Sequence, residues 1–438
     1  MFISRPQNAP PFRCRDFHTL QGMSFLYDLL TYLIYPGIKA AGLFNDKARR
    51  LARGQKGNIG NIEKTFGEAV PDTPTVWVHC ASLGEFEQGR PVIETLRDKR
   101  PEWRIVVTFF SPSGYEVRKD YAGADHIFYL PVDTPSNARR FVDAVKPDMA
   151  IFVKYEYWYN YLSELRRRDI PAYFISAVFR PGMRFFKFYG GFFRRMLNMV
   201  TRFFVQDQQS ARLLGSIGLE GNVTVSGDTR FDRVELVRQL AADIPVIERF
   251  ASGDQPVMVC GSTWPADEQI LLLLMRARPE LKFIVVPHEI DHVAVANLMM
   301  ESGRQALRYT ALGEQDDLSG ASLLVVDTVG LLSKIYRYGD VTYVGGGFGA
   351  GIHNILEAAV WGKPVIFGPR FGKFNEAVDL VAAGAGFPVG DYNGLNTTLS
   401  SLLSNPEKLA AAGATAARYV ESNLGATERI VEYLLGED

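Results

Sequence analysis

Seven short apolar runs rich in β-branched and aromatic residues, several separated by stretches long enough for a helix, constrain this chain more than any other feature: TVWVHCA (75–81), RIVVTFF (104–110), HIFYLPV (126–132), MAIFVKY (149–155), AYFISAV (172–178), RFFVQD (202–207) and VTVSGD (223–228). That alternation is the signature of βαβ units and a parallel sheet. The series restarts with VMVCGS (257–262), KFIVVPH (282–288), SLLVVDT (322–328), DVTYVGG (340–346) and PVIFGP (364–369), after a polar, helical-looking stretch from about Arg230 to Gln255. At 438 residues the chain exceeds one hydrophobic core, so two tandem α/β domains are expected. Doubly wound sheets bind ligands at the carboxyl ends of their strands, which is where functional residues are sought.

The first candidate follows the first run. Ser82 and Glu85 in WVHCASLGEFEQGR (77–90) form S-x-x-E, a capping box at a helix start. Position gives Glu85 a second reading, since a carboxylate at a strand's carboxyl end can act as a general base. Gly84 beside it would let a substrate approach closely. The second candidate is CGSTWPADEQ (260–269), where Gly261, Ser262 and Thr263 precede Pro265 at a helix start, an arrangement able to bind an anion or to be merely a capped helix. The third, VGGGFGAGIHNILEAAVWGKPVIFGP (344–369), runs a strand into a glycine-rich loop containing Gly346 and Gly347. A helix carrying His353, Asn354 and Glu357 is expected next, with Asn354 and Glu357 three apart on one face and the carboxylate able to accept bonds from two ribose hydroxyls. The pattern is not G-x-G-x-x-G with an acid about 20 residues on, which argues against a dinucleotide dehydrogenase.

Residues 23–44 are mostly apolar but carry Asp28, Pro36 and Lys39, and a Lys/Arg-rich stretch follows. They read as a membrane anchor or an interfacial helix, with an ordinary docked amphipathic helix as the plainer alternative. Residues 1–22 look unstructured, and Met23 is a candidate start. The segment 180–204 has six cations, no acid and many aromatics, a combination suited to an anionic lipid-bearing surface; Arg184, Lys187, Arg194 and Arg195 are its candidate contacts. A net charge of -1 gives no reason to expect nucleic acid. Three distant cysteines (Cys14, Cys80 and Cys260) and six scattered histidines show no metal-ligand spacing, so no metal is expected.

Together these motifs resemble the Kdo (3-deoxy-D-manno-octulosonic acid) transferases, lipid A precursor glycosyltransferases of the GT-B fold in glycosyltransferase family 30. Family members carry W-V-H-x-x-S-x-G-E, matched here by Trp77, Val78, His79, Ser82, Gly84 and Glu85. E-x-E-x-W-x-N is matched in part by Glu156, Trp158 and Asn160, and G-N-x-K-F-D by GDTRFD (227–232), with Asp228 and Arg230 as replacements. D-T-x-G is Asp327, Thr328 and Gly330; H-N-x-L-E is His353, Asn354, Leu356 and Glu357; G-K-P-V-x-F-G-P is 362–369. The resemblance implies two Rossmann-like parallel-sheet domains facing across a cleft, an N-terminal acceptor domain (46–235) and a C-terminal donor domain (236–415), with a membrane-associated helix before them (23–45) and a C-terminal helix after (416–438).

It further implies CMP-Kdo as donor substrate, no cofactor, lipid A precursor as acceptor, Glu85 as general base of an inverting displacement, and the cytoplasmic face of the cell inner membrane as location. Ser262 and Thr263 would neutralise the leaving phosphate, and Asn354 and Glu357 would hold the nucleotide. Glu156 would serve the acceptor side. Two departures stand out. Where many relatives read V-P-R-H-P-E-R this chain has VPHEIDH (286–292), which puts His288 or His292 in the arginine's place. Where they read G-P-H-T-x-N-F-x-E it has GPRFGKFNE (368–376), keeping Glu376 and adding Arg370 and Lys373 as possible compensating cations. The same fold also serves nucleotide-sugar epimerases and hydrolases, and a non-catalytic membrane-bound sensor would tolerate any residue at position 85.

Overall fold

A computed structural model describes the backbone of residues 17–67, 73–313 and 315–437, and side chains from residue 23 onward. Residues 1–16, where most of the expected unstructured segment falls, lie outside it. The described residues form two compact units: the first runs up to residue 233 and takes in the returning segment from 425, and the second runs from 234 to 424.

The first unit is a seven-stranded parallel sheet: β1 (Thr75–Cys80), β2 (Arg104–Phe109), β3 (His126–Tyr129), β4 (Met149–Val153), β5 (Ala172–Ala177), β6 (Arg202–Val205) and β7 (Val223–Val225), in the order β3-β2-β1-β4-β5-β6-β7. The second has β8 (Val257–Thr263), β9 (Lys282–Pro287), β10 (Ala306–Arg308), β11 (Leu323–Val325), β12 (Val341–Val344), β13 (Val365–Phe367) and β14 (Gly386–Pro388), in the order β10-β11-β9-β8-β12-β13-β14. Every apolar run became a strand. The edge strands β10 and β14 are additional; each is three residues long, too short to show a period.

Alternation explains why the sheet interiors read as continuous apolar runs. In β1, Trp77 faces one core with Phe141, Phe152 and Tyr161, while Val76, Val78 and Cys80 face another with Ile105, Val107 and Ile151. Both faces are covered, so no polar face survives in the sequence. The order reverses between β1 and β4 in the first unit and between β8 and β12 in the second. These are the switch points at which doubly wound sheets take ligands.

Helices α1 (Phe17–Ala41), α2 (Asp46–Gln55) and α3 (Asn58–Gly67) precede β1, and α4 (Leu83–Lys99) and α5 (Pro112–Arg118) follow β1 and β2. Pro36 lies inside α1 rather than ending it. Among the described residues no helix is long and apolar enough to cross a membrane. Helix α1 docks through one face. Tyr27 donates to the buried Asp133 at 2.6 Å, Asn160 donates to Asp28 at 3.0 Å, and Thr31 is buried. Its other side leaves Phe25, Leu29 and Leu33 at 72, 50 and 59% exposure.

The expected linker is helical, with helices Thr229–Gln239 and Pro245–Ala251. The terminal segment expected as one helix over 416–438 is the end of helix Pro406–Glu421 and a separate helix, Ala426–Leu435. The last helix belongs to the first unit because Ile430, Val431 and Leu434 fill its core and Asp232 caps the helix start, accepting from the Gly425 and Thr427 amides at 2.7 Å each. Asp232 of GDTRFD is thus a fastener. Asp228 and Arg230, which replace the family's Asn and Lys, bind each other at 2.6 Å.

Candidate functional site

In the first unit, β1 ends at Cys80 and the chain turns through Ser82 into α4. Glu85 does form the cap: one oxygen accepts from the Ser82 amide at 2.9 Å and from its hydroxyl at 3.0 Å. Its carboxyl is nonetheless held above the usual range, first by burial and then by the negative charge of Glu156, against the lowering effect of the Ser82 hydrogen bonds. The capping box is thus formed, and the carboxylate that forms it also has a raised proton affinity. Gly84 is exposed, and a side chain there would meet open space.

Glu156 follows β4, across the switch point from β1. Trp158 Nε1 donates to its Oε2 at 2.8 Å, and the buried His79 ring lies 3.4 Å from the same oxygen. His79 is itself tied to Thr108 at 2.9 Å, and Trp77 Nε1 donates to that hydroxyl at 2.8 Å. The W-V-H motif therefore has a structural logic: residues 77 and 79 share a face of β1, and both brace the wall that holds Glu156. Lys154, at the end of β4, adopts φ 64°, a strained left-handed conformation of the kind found beside functional sites.

The basic aromatic segment divides into core and surface. Phe185 and Phe192 are buried, and Arg194 donates to the Phe185 and Lys187 carbonyls at 3.0 and 2.9 Å. Arg184 is exposed and lies over the Phe193 ring, Arg195 and Lys187 are partly exposed, and Phe188 is 95% exposed. Ring contacts between Tyr27 and Phe192 set this segment beside α1.

In the second unit the carboxyl ends of β9, β8 and β12 bring three rings together. Trp264 stacks on His288 with centroids 4.6 Å apart, and His288 stacks on His353 at 4.2 Å. Trp264 Nε1 donates to His353 Nε2 at 2.8 Å. That bond requires a lone pair on Nε2, and burial, with the neighbouring His288, pushes the His353 pKa down to about 4. Burial lowers His288 as well. Both imidazoles are neutral near pH 7. His292 does not join them; it lies against Arg308, which also binds Asp327.

Asp267 underpins this group. Fully buried, it accepts from the Trp264 amide at 2.9 Å, the Gly346 amide at 2.9 Å and the Tyr343 hydroxyl at 2.7 Å. The helix start expected to offer free amides is thus capped by its own carboxylate. Thr263 is buried and donates to Glu268 at 2.9 Å, and Ser262 takes φ 52°. Gly261 has no room for a side chain, because a Cβ would lie 2.1 Å from the Tyr336 hydroxyl.

The glycine loop is shaped by its own backbone. A Cβ on Gly347 would fall 2.6 Å from Gly368, and Gly346 takes φ 91°. The expected helix over His353–Glu357 is only Leu356–Ala359. His353 and Asn354 sit in the irregular segment before it, because the Asn354 side chain accepts from the Leu356 amide and donates to Glu357 at 3.1 Å. Arg370 is exposed and donates to the Gly349 carbonyl at 2.6 Å, while Glu376 is buried at the start of helix Asn375–Ala383. Sequence reading missed Trp264 and Asp267. A tryptophan at a helix start and an acid three residues on were a visible capping pattern, but nothing along the chain showed the rings they would meet.

Residues 50–233 match the family model described as 3-deoxy-D-manno-octulosonic-acid transferase (kdotransferase). The chain is 27% identical to a 3-deoxy-D-manno-octulosonic acid transferase of Chlamydophila psittaci, over 89% of this chain and 90% of that one. It is 29% identical to the Aquifex aeolicus protein of the same name, over 75 and 86% of the two chains. Among solved structures it is similar in fold to UDP-GlcNAc 2-epimerase of Neisseria meningitidis (TM-score 0.60, 17% identity, 83% of this chain and 100% of that one). MurG of Acinetobacter baumannii is similar too (TM-score 0.53, 11% identity, 83 and 99%).

Proposed function

Because the chain belongs to the Kdo transferase family and is a glycosyltransferase of lipopolysaccharide biosynthesis, we propose that it transfers Kdo from CMP-Kdo to a sugar hydroxyl of lipid A precursor with inversion at the anomeric carbon. The observation that carries this reading is Glu85: a carboxylate at the carboxyl end of a switch-point strand, with its proton affinity raised by burial and Glu156. The acceptor oxygen attacks the anomeric carbon, its proton passes to Glu85, and the bond to the CMP phosphate breaks with its electrons leaving on CMP. The neutral ring stack Trp264–His288–His353 offers the nucleotide a flat wall, and the Asn354–Glu357 pair offers the ribose hydroxyls an acceptor. Arg370, fastened to the glycine loop, supplies positive charge toward the departing phosphate, and the reading calls on no cofactor.

Labelled Kdo supplied as CMP-Kdo should appear on a tetra-acylated lipid A precursor in the presence of the protein. Release of CMP with free Kdo and no labelled lipid would overturn transfer in favour of hydrolysis, and an altered sugar nucleotide would point to the epimerase chemistry of the fold's other occupants.

The same reading places the protein on the cytoplasmic face of the inner membrane. Phe25, Leu29 and Leu33 recur at four-residue spacing on the outward side of α1, and Phe188 projects from the neighbouring basic segment. Leu29→Glu with Leu33→Glu should weaken co-sedimentation with anionic vesicles by roughly tenfold or more while leaving the thermal transition in place. Unchanged sedimentation would refute an interfacial role for this face.

A further inference from the structure

A cavity of about 580 Å³ opens in the first unit beside the edge strand β3, away from the β1–β4 switch point. Its floor is Tyr115 stacked on Tyr129 with centroids 4.1 Å apart, and the Tyr129 hydroxyl donates to Glu116 at 3.2 Å. Its rim carries three cations, Arg50 and Arg53 from α2 and Lys56 just beyond it.

The cavity is built rather than incidental. Gln55 donates to the Leu130 carbonyl at 2.7 Å and Asn58 to the Tyr129 carbonyl at 2.6 Å, so the α2–α3 junction is fastened to the end of β3. Gly54 allows that approach, since a Cβ there would lie 2.3 Å from the Tyr129 ring.

The cations are spaced three apart, Arg50 and Arg53 on α2 and Lys56 at its extended C-cap. Like charges this close along the chain repel. Arg49 is paired with Asp46 at 2.7 Å, whereas among the described residues Arg50, Arg53 and Lys56 form no ion pair. A row of unpaired cations over a walled cavity suits a compact dianion with several acceptor oxygens, and arginine forks bind phosphate in a bidentate manner. The volume, well within the range of small-molecule sites, exceeds what one phosphate fills, so the phosphate would come attached to a larger group.

We propose that this cavity binds a phosphate monoester carried on a sugar, and that it holds the phosphorylated acceptor apart from the reacting hydroxyl. The existence of the site rests on its own geometry; its assignment to the acceptor rests on the transfer reading above.

Calorimetry of the full chain with glucosamine 1-phosphate tests the site without turnover, so it stands or falls separately from the transferase reading. Wild type should bind this probe and not glucosamine, and Arg50→Gln with Arg53→Gln should weaken binding at least tenfold. In turnover, the double variant should raise the KM for the phosphorylated acceptor at least tenfold, with kcat and the donor KM within twofold. An acceptor stripped of its phosphate should show a KM that the variant does not change. Equal probe affinity in wild type and variant would overturn the proposal, as would an equal rise in KM for the dephosphorylated acceptor. A variant that keeps its acceptor KM but loses binding to phosphatidic acid vesicles, relative to phosphatidylcholine, would overturn the assignment to the acceptor and place the monoester on a membrane lipid.

Discussion

Glu85→Gln should lower the rate of Kdo transfer by roughly 10²- to 10⁴-fold, the range expected for loss of a general base, while leaving the protein folded. The choice of glutamine matters because it separates the two roles of the residue. The Glu85 oxygen that accepts from the Ser82 amide and hydroxyl has a counterpart in the glutamine carbonyl, and glutamine serves in capping boxes as glutamate does. The variant therefore keeps the start of α4 and loses only the proton acceptor. A variant of normal thermal stability and near-normal rate would leave Glu85 as a cap and send the base elsewhere.

The pH dependence has a defined sign. A base works deprotonated, so kcat/KM should rise with pH through a midpoint above the usual glutamate range, since burial and then Glu156 raise the Glu85 carboxyl. Glu156→Gln removes the nearby negative charge and should move that midpoint down. A pH–rate profile on each protein reads both effects.

Asp267→Ala should destabilise the second unit by on the order of 4 kcal/mol, because it strips the acceptor from three buried donors at once. Those donors are the Trp264 amide, the Gly346 amide and the Tyr343 hydroxyl, on β8, β12 and the segments that follow them. The same change should unfasten the glycine loop from the helix start and loosen the Trp264–His353 contact, so affinity for CMP should fall together with stability. Denaturant titration gives the first effect and calorimetry with CMP the second. A variant with native stability would show that the three donors are satisfied without the carboxylate.

Much of the architecture could be read along the chain because fully covered parallel strands leave a local trace. Two covered faces leave few places for polar residues, which is why β1, β4, β8 and β12 stood out as mostly apolar runs. Glu85 could be read for a related reason: a capping box and the carboxyl end of a strand are both local patterns. The short edges β10 and β14 could not, and neither could the end of the anticipated helix at His353, where a side chain of Asn354 captured the backbone instead.

What the linear order of residues determined, then, is the order of the longer strands, the two-unit division and the places where those strands give way to loops, since each depends on periodicity or on capping within a few residues. What tertiary structure alone decided is which side chains meet. The pairing of Glu156 with His79, the three-ring stack, the anchoring of the last helix by Asp232 and the cation-rimmed cavity join residues 77, 89, 195 and 71 positions apart. Such contacts are set by sheet order and by the packing of helices on it, and neither has a period in the sequence.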